Sequence, residues 1–367
     1  MTDVAFVLGT RPEIIKLAPV VQACQRSGIE FTIIHTGQHY SDTLDSVFFD
    51  QLELPAPDYN LRVGSSSHGE QTGEMLIAIE RVLTEIDPDV VLVQGDTNSV
   101  LAGAIVASKA RAELGHVEAG LRSSDRSMPE EINRIVADHV SDYLFAPTEQ
   151  SESYLLDEGI PAHRITVTGN TVVDALVRNR EIAHRKSTAL ADLGLVDTDF
   201  FLMTAHRQEN VDDEKRFRDI LAGVERTAKT HGVEVIYPVH PRARERIEAF
   251  GIDVPDPIRT IEPLGYLDFL RLSVAADLIL TDSGGVQEEA CILGVPCVTM
   301  RDNTERPETT DVGANQLSSS DPNRIVITAT EMLLRDGEWE NPFGDGDAAE
   351  RILQALPLDA EVREVAR

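Results

Sequence analysis

The 367-residue sequence predicts an α/β protein of two doubly wound parallel-sheet domains with a cleft between them. Three observations predict this. Short apolar runs alternate with amphipathic stretches from start to end, which is βαβ repetition and so a parallel sheet with helices on both faces. The chain exceeds the ~250–300 residues at which single cores stop growing, so two domains are the default. The alternation pauses once, around Gly169-Asn170-Thr171-Val172-Val173-Asp174, and then resumes.

Before the pause, Val4–Leu8, Phe31–His35, Val90–Gln94, Gly115–Val117, Tyr143–Ala146 and Ile165–Thr168 read as strands. Glu13–Gln25, Glu70–Glu85, Ser99–Ala110 and Glu131–Val140 have helical spacing between them. After it, strands are expected at Phe200–Thr204, Val233–Val239, Ile258–Ile261, Leu278–Thr281 and Cys297–Met300. The boundary falls near residues 170–185, which gives domains of 1–172 and 173–346.

Composition narrows the function classes. The chain carries 63 acidic against 33 basic residues, a net charge of −30, and only five of the basic residues are lysine. A chain this acidic repels nucleic acid and anionic membranes, so neither is expected as a partner. Its carboxylate-rich, lysine-poor balance is similar to that of cytoplasmic proteins from salt-accumulating halophiles. No apolar run approaches the ~20 residues of a membrane span. The segment Met1–Gly9 lacks a basic leader and reads as a first strand, so a cytoplasmic location is expected. Cys24, Cys291 and Cys297 lack metal-ligand spacing and are odd in number, which argues against zinc or disulfides.

Ligands of open α/β sheets sit beyond the carboxyl ends of the strands. Polar and ionisable residues crowd into those positions here: Gly9–Glu13, Thr36–His39, Gly95–Thr97, Glu118–Arg122, Ala205–Arg207 and His240–Arg242. The strongest such stretch is Asp282-Ser283-Gly284-Gly285, between a buried strand and a helix. Without Cβ atoms at Gly284 and Gly285 an anion can approach the unpaired first-turn N–H groups. The alternative is a tight turn with Asp282 or Ser283 as helix cap. Glu289, about one and a half turns further on, could accept hydrogen bonds from the two hydroxyls of a ribose, so the stretch points to a nucleotide.

Arg11 and Lys16 can bind an anion, with a solvated helix face as the alternative for Lys16. Arg306 can do the same, or pair with Glu305 or Glu308. Asp96, Glu118 and Glu130 are three carboxylates from the first half. Read singly, Asp96 is a helix cap, Glu118 an ion-pair partner of Arg122, and Glu130 an acid favoured by a helix dipole. Read together, they are carboxylates close enough to shift one another's pKa, as acid–base catalysis needs. His206 and His240 each follow a strand, where a histidine can act as acid or anion ligand. No Walker loop, G-x-G-x-x-G or H-E-x-x-H occurs. Gly64-Ser65-Ser66-Ser67-His68-Gly69 does not fit G-x-S-x-G and reads as a flexible loop.

In order along the chain, Gly9-Thr10-Arg11-Pro12-Glu13 with Lys16, Thr36–His39, Gly95–Thr97, His116–Arg122, Pro129–Arg134, Thr168–Thr171, His206-Arg207, Tyr237–His240, Thr281–Glu289, Arg301–Glu308 and Asn341–Gly346 resemble the non-hydrolysing UDP-N-acetylglucosamine 2-epimerases. The resemblance covers nearly the whole chain. It implies a GT-B architecture, two Rossmann-like domains with UDP in the cleft. It also implies a final helix near Ala348–Leu356, within about residues 347–367, that returns to the first domain. By motif, Arg11, Lys16, Phe269, Ser283, Gly284, Gly285, Glu289 and Arg306 would hold UDP. Asp96, Glu118, Glu130 and His206 would carry the chemistry. Gln38, His39 and His240 would belong to a second, activator site, yet the Gln-containing segment that completes it in bacterial members is Val63–Glu70 here. A homodimer with no metal and no cofactor is the family expectation. A GT-B glycosyltransferase, a hydrolysing epimerase and a non-catalytic nucleotide-sugar sensor are the alternatives.

Overall fold

The computed structural model describes residues 3–38, 48–335 and 337–358. The chain leaves a first compact unit after Val177, forms a second from Arg178 to Pro342, and rejoins the first at Phe343.

The first unit is built on seven strands: β1 (Val4–Leu8), β2 (Phe31–His35), β3 (Tyr59–Asn60), β4 (Val90–Gln94), β5 (Glu113–Val117), β6 (Tyr143–Ala146) and β7 (Ile165–Val167). Their order is β3-β2-β1-β4-β5-β6-β7, with every neighbouring pair parallel. β1 and β4 are buried along their whole length, which is why both read as unbroken apolar runs. The chain winds outward in opposite directions from this pair, so the β1–β4 junction is the switch point where the loops diverge and leave room for a ligand. The helix Arg11–Ser27 begins directly after β1, with Pro12 in its first turn, and Gly28 at φ 68° closes it.

The second unit repeats the winding with β8 (Phe200–Thr204), β9 (Glu234–Pro238), β10 (Ile258–Ile261), β11 (Leu278–Thr281), β12 (Cys297–Thr299) and β13 (Asn315–Leu317). The order β10-β9-β8-β11-β12-β13 is again parallel throughout and puts a switch point between β8 and β11. Both units are therefore doubly wound parallel sheets, as the alternation predicts.

Two strands were not predicted, β3 and β13. They are two and three residues long, lie at sheet edges and carry polar residues, so they give no apolar run to read. The serine-rich stretch before His68 ends differently from the flexible loop expected. Ser67 accepts from the Glu70 N–H and caps the helix His68–Ile86. The helix Ala348–Ala355 packs on Arg11–Ser27 within the first unit, and the Ala349 N–H donates to Asp174 Oδ1 at 2.9 Å. Among the described residues no helix is long and apolar enough to cross a membrane.

Candidate active site

Beyond β1 and β4 the first unit holds a cavity of about 570 Å³, lined among others by Arg11, Gln38, Asp96 and Glu130. Arg11 enters from the turn after β1, Asp96 from the turn after β4, and Glu130 from the first turn of the helix Pro129–Val140. Asp96 does not cap the helix that follows. Thr97 does, its hydroxyl accepting from the Val100 N–H. The Asp96 carboxylate is instead ion-paired with Arg134, which also holds Glu131 at 2.9 Å. Glu131 is buried and accepts from the N–H groups of Ser123 and Ser124, each at 3.0 Å. Burial would raise its pKa, but these donors and Arg134 outweigh it and hold it below the usual range. Asn133 donates to the Asp96 carbonyl at 2.9 Å, so the backbone under Asp96 is tied as well.

Glu118 is buried and does not line that cavity. It sits in left-handed backbone, φ 69°, a conformation uncommon for a residue with a side chain and enriched at functional sites. Its carboxylate meets Lys16 Nζ at 2.6 Å, the Gln94 amide, and Asn170 Nδ2 at 3.3 Å. The ion pair with Arg122 offered by the sequence is not formed, because Arg122 turns to Asp138 and Glu158. Nor is Lys16 on a solvated face; the anion it holds is Glu118. Asp96 and Glu118 each face a cation of their own, Arg134 and Lys16, while Asp96 and Glu130 line one cavity.

Sequence reasoning missed a carboxyl that burial shifts. Glu13 is enclosed beneath the same loops, accepting from the Gly9 N–H at 2.9 Å and the Thr97 hydroxyl at 2.7 Å. Burial raises its pKa to about 7 despite those donors. It also missed the amides of the cavity wall, Asn98 and Asn133, and Gln71 next to them. Asn98 donates to Gln71 at 2.8 Å and accepts from Asn133 at 3.3 Å. Gln38 lines the cavity with its side-chain oxygen on the Ser99 hydroxyl, 2.8 Å away, while His39 lies outside the described residues. His68, from the segment that departs from the bacterial pattern, lines the same cavity.

In the second unit a smaller cavity of about 250 Å³ beyond β8 and β11 is lined by His206, His240, Phe269 and Ser283, among others. The rings of His206 and His240 stand 5.4 Å apart, and His240 is pushed down by burial and by the neighbouring His206. Neither Asp282 nor Ser283 caps the helix Gly284–Leu293, and no side chain of the described residues is seen on its first-turn N–H groups. Asp282 reaches the opposite loop instead. Fully buried, it accepts from the His206 and Arg207 N–H groups at 2.9 and 3.0 Å, from Asn210 Nδ2 at 3.1 Å, and from His206 Nδ1 at 3.1 Å. Burial alone would raise Asp282, but His206 and these N–H donors hold it below the usual carboxylate range. A carboxylate on Nδ1 makes that nitrogen the donor and leaves Nε2 available for a ligand. At Gly285, which is exposed, an added Cβ would meet nothing within 4 Å. Glu289 and Arg306 do not line this cavity. Arg306 Nε lies 3.6 Å from Glu288, and its Nη1 donates to the Glu305 carbonyl oxygen at 3.0 Å.

An open helix N-terminus beside a histidine in one unit, and a carboxyl-lined cavity in the other, define an α/β enzyme that works on a nucleotide-linked substrate. A family model described as UDP-N-acetylglucosamine 2-epimerase matches residues 22–357. The chain is 52% identical to the UDP-N-acetylglucosamine 2-epimerase of Methanocaldococcus jannaschii over 96% of this chain and 98% of that one. It is 48% identical to that of Methanococcus maripaludis over 97% and 98%. A crystal structure of the Methanocaldococcus jannaschii enzyme in complex with UDP-GlcNAc and UDP superposes with a TM-score of 0.83 at 52% identity, covering 96% of this chain and 98% of that one. The chain belongs to the UDP-N-acetylglucosamine 2-epimerase family.

Proposed function

We infer that the protein interconverts UDP-N-acetylglucosamine and UDP-N-acetylmannosamine by elimination and re-addition of UDP through 2-acetamidoglucal. The observation that carries this reading is the cavity shared by Asp96, Glu130 and Arg11, two carboxyls from different elements and a cation around one space. The hydrogen at sugar carbon 2 has no neighbouring carbonyl, so direct deprotonation is too hard. Expelling UDP from carbon 1 leaves a cation that acidifies it, and a carboxylate then removes it. Return of a proton to the other face and re-addition of UDP complete the inversion.

Such a reaction needs a base on one face, an acid on the other and stabilisation of departing UDP. Asp96, Glu118 and Glu130 supply the proton transfers. The helix N-terminus at Ser283, Gly284 and Gly285 takes the diphosphate. His206, oriented by Asp282 through Nδ1, offers Nε2 to the leaving oxygen. Phe269, Glu289, Arg306, Arg11 and Lys16 complete the nucleotide-binding set. Gln38, His39 and His240 are the set for a second, activator site, although His240 shares a cavity with His206. A cytoplasmic homodimer completes it; a fully active monomer by light scattering would remove the dimer.

Purified protein incubated with UDP-N-acetylglucosamine alone should yield UDP-N-acetylmannosamine, with free sugar and UDP only at leak levels. Stoichiometric release of N-acetylmannosamine and UDP would show a hydrolase, and no reaction without an acceptor would favour a glycosyltransferase. In Asp96→Asn, turnover should fall at least ~10²-fold, the scale of general acid–base catalysis, while UDP binding persists.

A further inference from the structure

Each unit has an aspartate–histidine pair near its strand ends, and the two differ in one respect. His206 gives Asp282 one ring nitrogen and is 35% exposed. His116, at the end of β5, is completely buried and has both nitrogens engaged. Its Nδ1 lies 2.7 Å from Asp138 Oδ1, and its Nε2 lies 2.8 Å from the Gly95 carbonyl oxygen. Carbonyl and carboxylate oxygens only accept, so both nitrogens must donate and the ring is an imidazolium. Burial works against that charge, but Asp138 outweighs it and raises the His116 pKa. A ring held this way has no nitrogen left to pass a proton to a substrate.

Asp138, also buried, accepts from the Gly120 N–H at 3.2 Å and from Arg122 at 2.7 Å. Arg122 in turn grips Glu158 with two nitrogens, each at 2.7 Å. The charged groups around the pair are therefore Arg122 with Glu158 on one side and Glu118 with Lys16 on the other.

The two backbone groups held at the ends of this chain are informative. Gly95 immediately precedes Asp96, and Gly120 lies two residues after Glu118. Both turns are in left-handed backbone, with Gly95 at φ 86°, Glu118 at 69° and Gly120 at 81°. Gly120 tolerates no side chain, since a Cβ would meet the Ser151 carbonyl oxygen at 2.4 Å. A buried ion pair is a poor device for stability alone, because desolvation offsets its attraction. What this one provides is a buried side-chain hydrogen bond to each of two turns, at the Gly95 carbonyl and the Gly120 N–H, beside the backbone bonds from Gly95, Glu118 and Ala119 N–H.

We propose that His116 and Asp138 are a charged positioning pair, clamping the Gly95 and Gly120 turns so that Asp96 and Glu118 are held in register for proton transfer at the sugar. The assignment of that chemistry rests on the function proposed above; the clamp itself does not. Three readouts test it, on the full chain. In wild-type protein with nitrogen-15 histidine, the signal missing from His116→Gln should show both ring nitrogens protonated from about pH 5 to about pH 9, where an ordinary histidine titrates. In Asp138→Asn and His116→Gln, hydrogen exchange of peptides over 95–98 and 118–122 should quicken while the strand Val90–Gln94 stays protected. Turnover should then drop by about 10²-fold, as expected of a small misplacement of reacting groups, with UDP affinity within about threefold of wild type. His116→Ala, which donates nothing to Gly95, should lose more turnover than His116→Gln. A His116 ring that titrates near neutrality, or turns whose exchange is unchanged in folded variants, overturns the clamp. Altered exchange with normal turnover overturns its link to the reaction. A wild-type protein with no epimerase activity overturns the functional reading and leaves the first two readouts to decide the clamp.

Discussion

At Glu13 burial decides the protonation state. Its carboxyl is fully enclosed, and the Gly9 and Thr97 donors do not offset the loss of water, so its pKa rises from 4.5 to about 7. The sign follows from linkage. Below pH 4.5 folded and unfolded chains both hold this proton; between pH 4.5 and about 7 only the folded chain does, so stability falls as pH rises and the contribution is lost above about 7. The span corresponds to about 3 kcal/mol. Asp174, raised to about 6 by burial, slopes the same way. Glu13→Gln mimics the protonated state, and the Thr97 hydroxyl can rotate to accept from the new amide. Urea titrations of wild type and variant at a series of pH values should diverge progressively from pH 4.5 to 7, with the variant the more stable at pH 7. Parallel stability curves would show that Glu13 is ionised in the fold across that range.

Among the elements, the helix Gly284–Leu293 carries the nucleotide assignment, because its first turn has no side-chain cap and Gly285 faces open space. Gly285→Asp puts a carboxylate where the diphosphate is assigned. An acid in a first turn suits the helix dipole, so the melting temperature should stay level or rise. UDP affinity, by calorimetry, should weaken about tenfold or more, equivalent to ~1.4 kcal/mol. Unchanged affinity would move the diphosphate elsewhere. This helix was legible in the sequence because everything that marks it is local: an apolar strand, two glycines, then helical spacing. Asp96, Glu130 and His206 were legible for the same reason, each standing just past a strand or at the start of a helix. The partners that set their chemistry were not. Glu13 meets Thr97 from 84 positions away, and Asn210 meets Asp282 from 72. Which loops converge is decided by strand order, and one sequence shows the strands but not the order. The sequence offers Asp282 as a cap for the helix it precedes, whereas the adjacency of β8 and β11 turns it toward His206. Among the described strands, β3 and β13 escaped because edge strands this short bury too little to leave an apolar signature.

The whole molecule carries a formal net charge of −30. Carboxylates repel one another across a Debye length of about 10 Å in 0.1 M salt and about 3 Å in molar salt. The melting temperature should therefore climb between dilute buffer and molar potassium chloride; a flat profile would remove the halophilic reading of the composition and leave the chemistry untouched. In the proposed reaction carbon 2 of the sugar loses and regains a proton on side chains that exchange with solvent. A glycosyltransferase breaks only the bond at carbon 1, and a hydride-based route returns the original hydrogen. The direct measurement is to run the reaction in deuterium oxide and examine carbon 2 by NMR and mass spectrometry. UDP-N-acetylmannosamine should be deuterated at carbon 2 from the first turnovers, with recovered UDP-N-acetylglucosamine gaining the label as equilibrium approaches. Product that keeps the original hydrogen at carbon 2 would contradict elimination and re-addition, and with it the roles given to Asp96, Glu118 and Glu130.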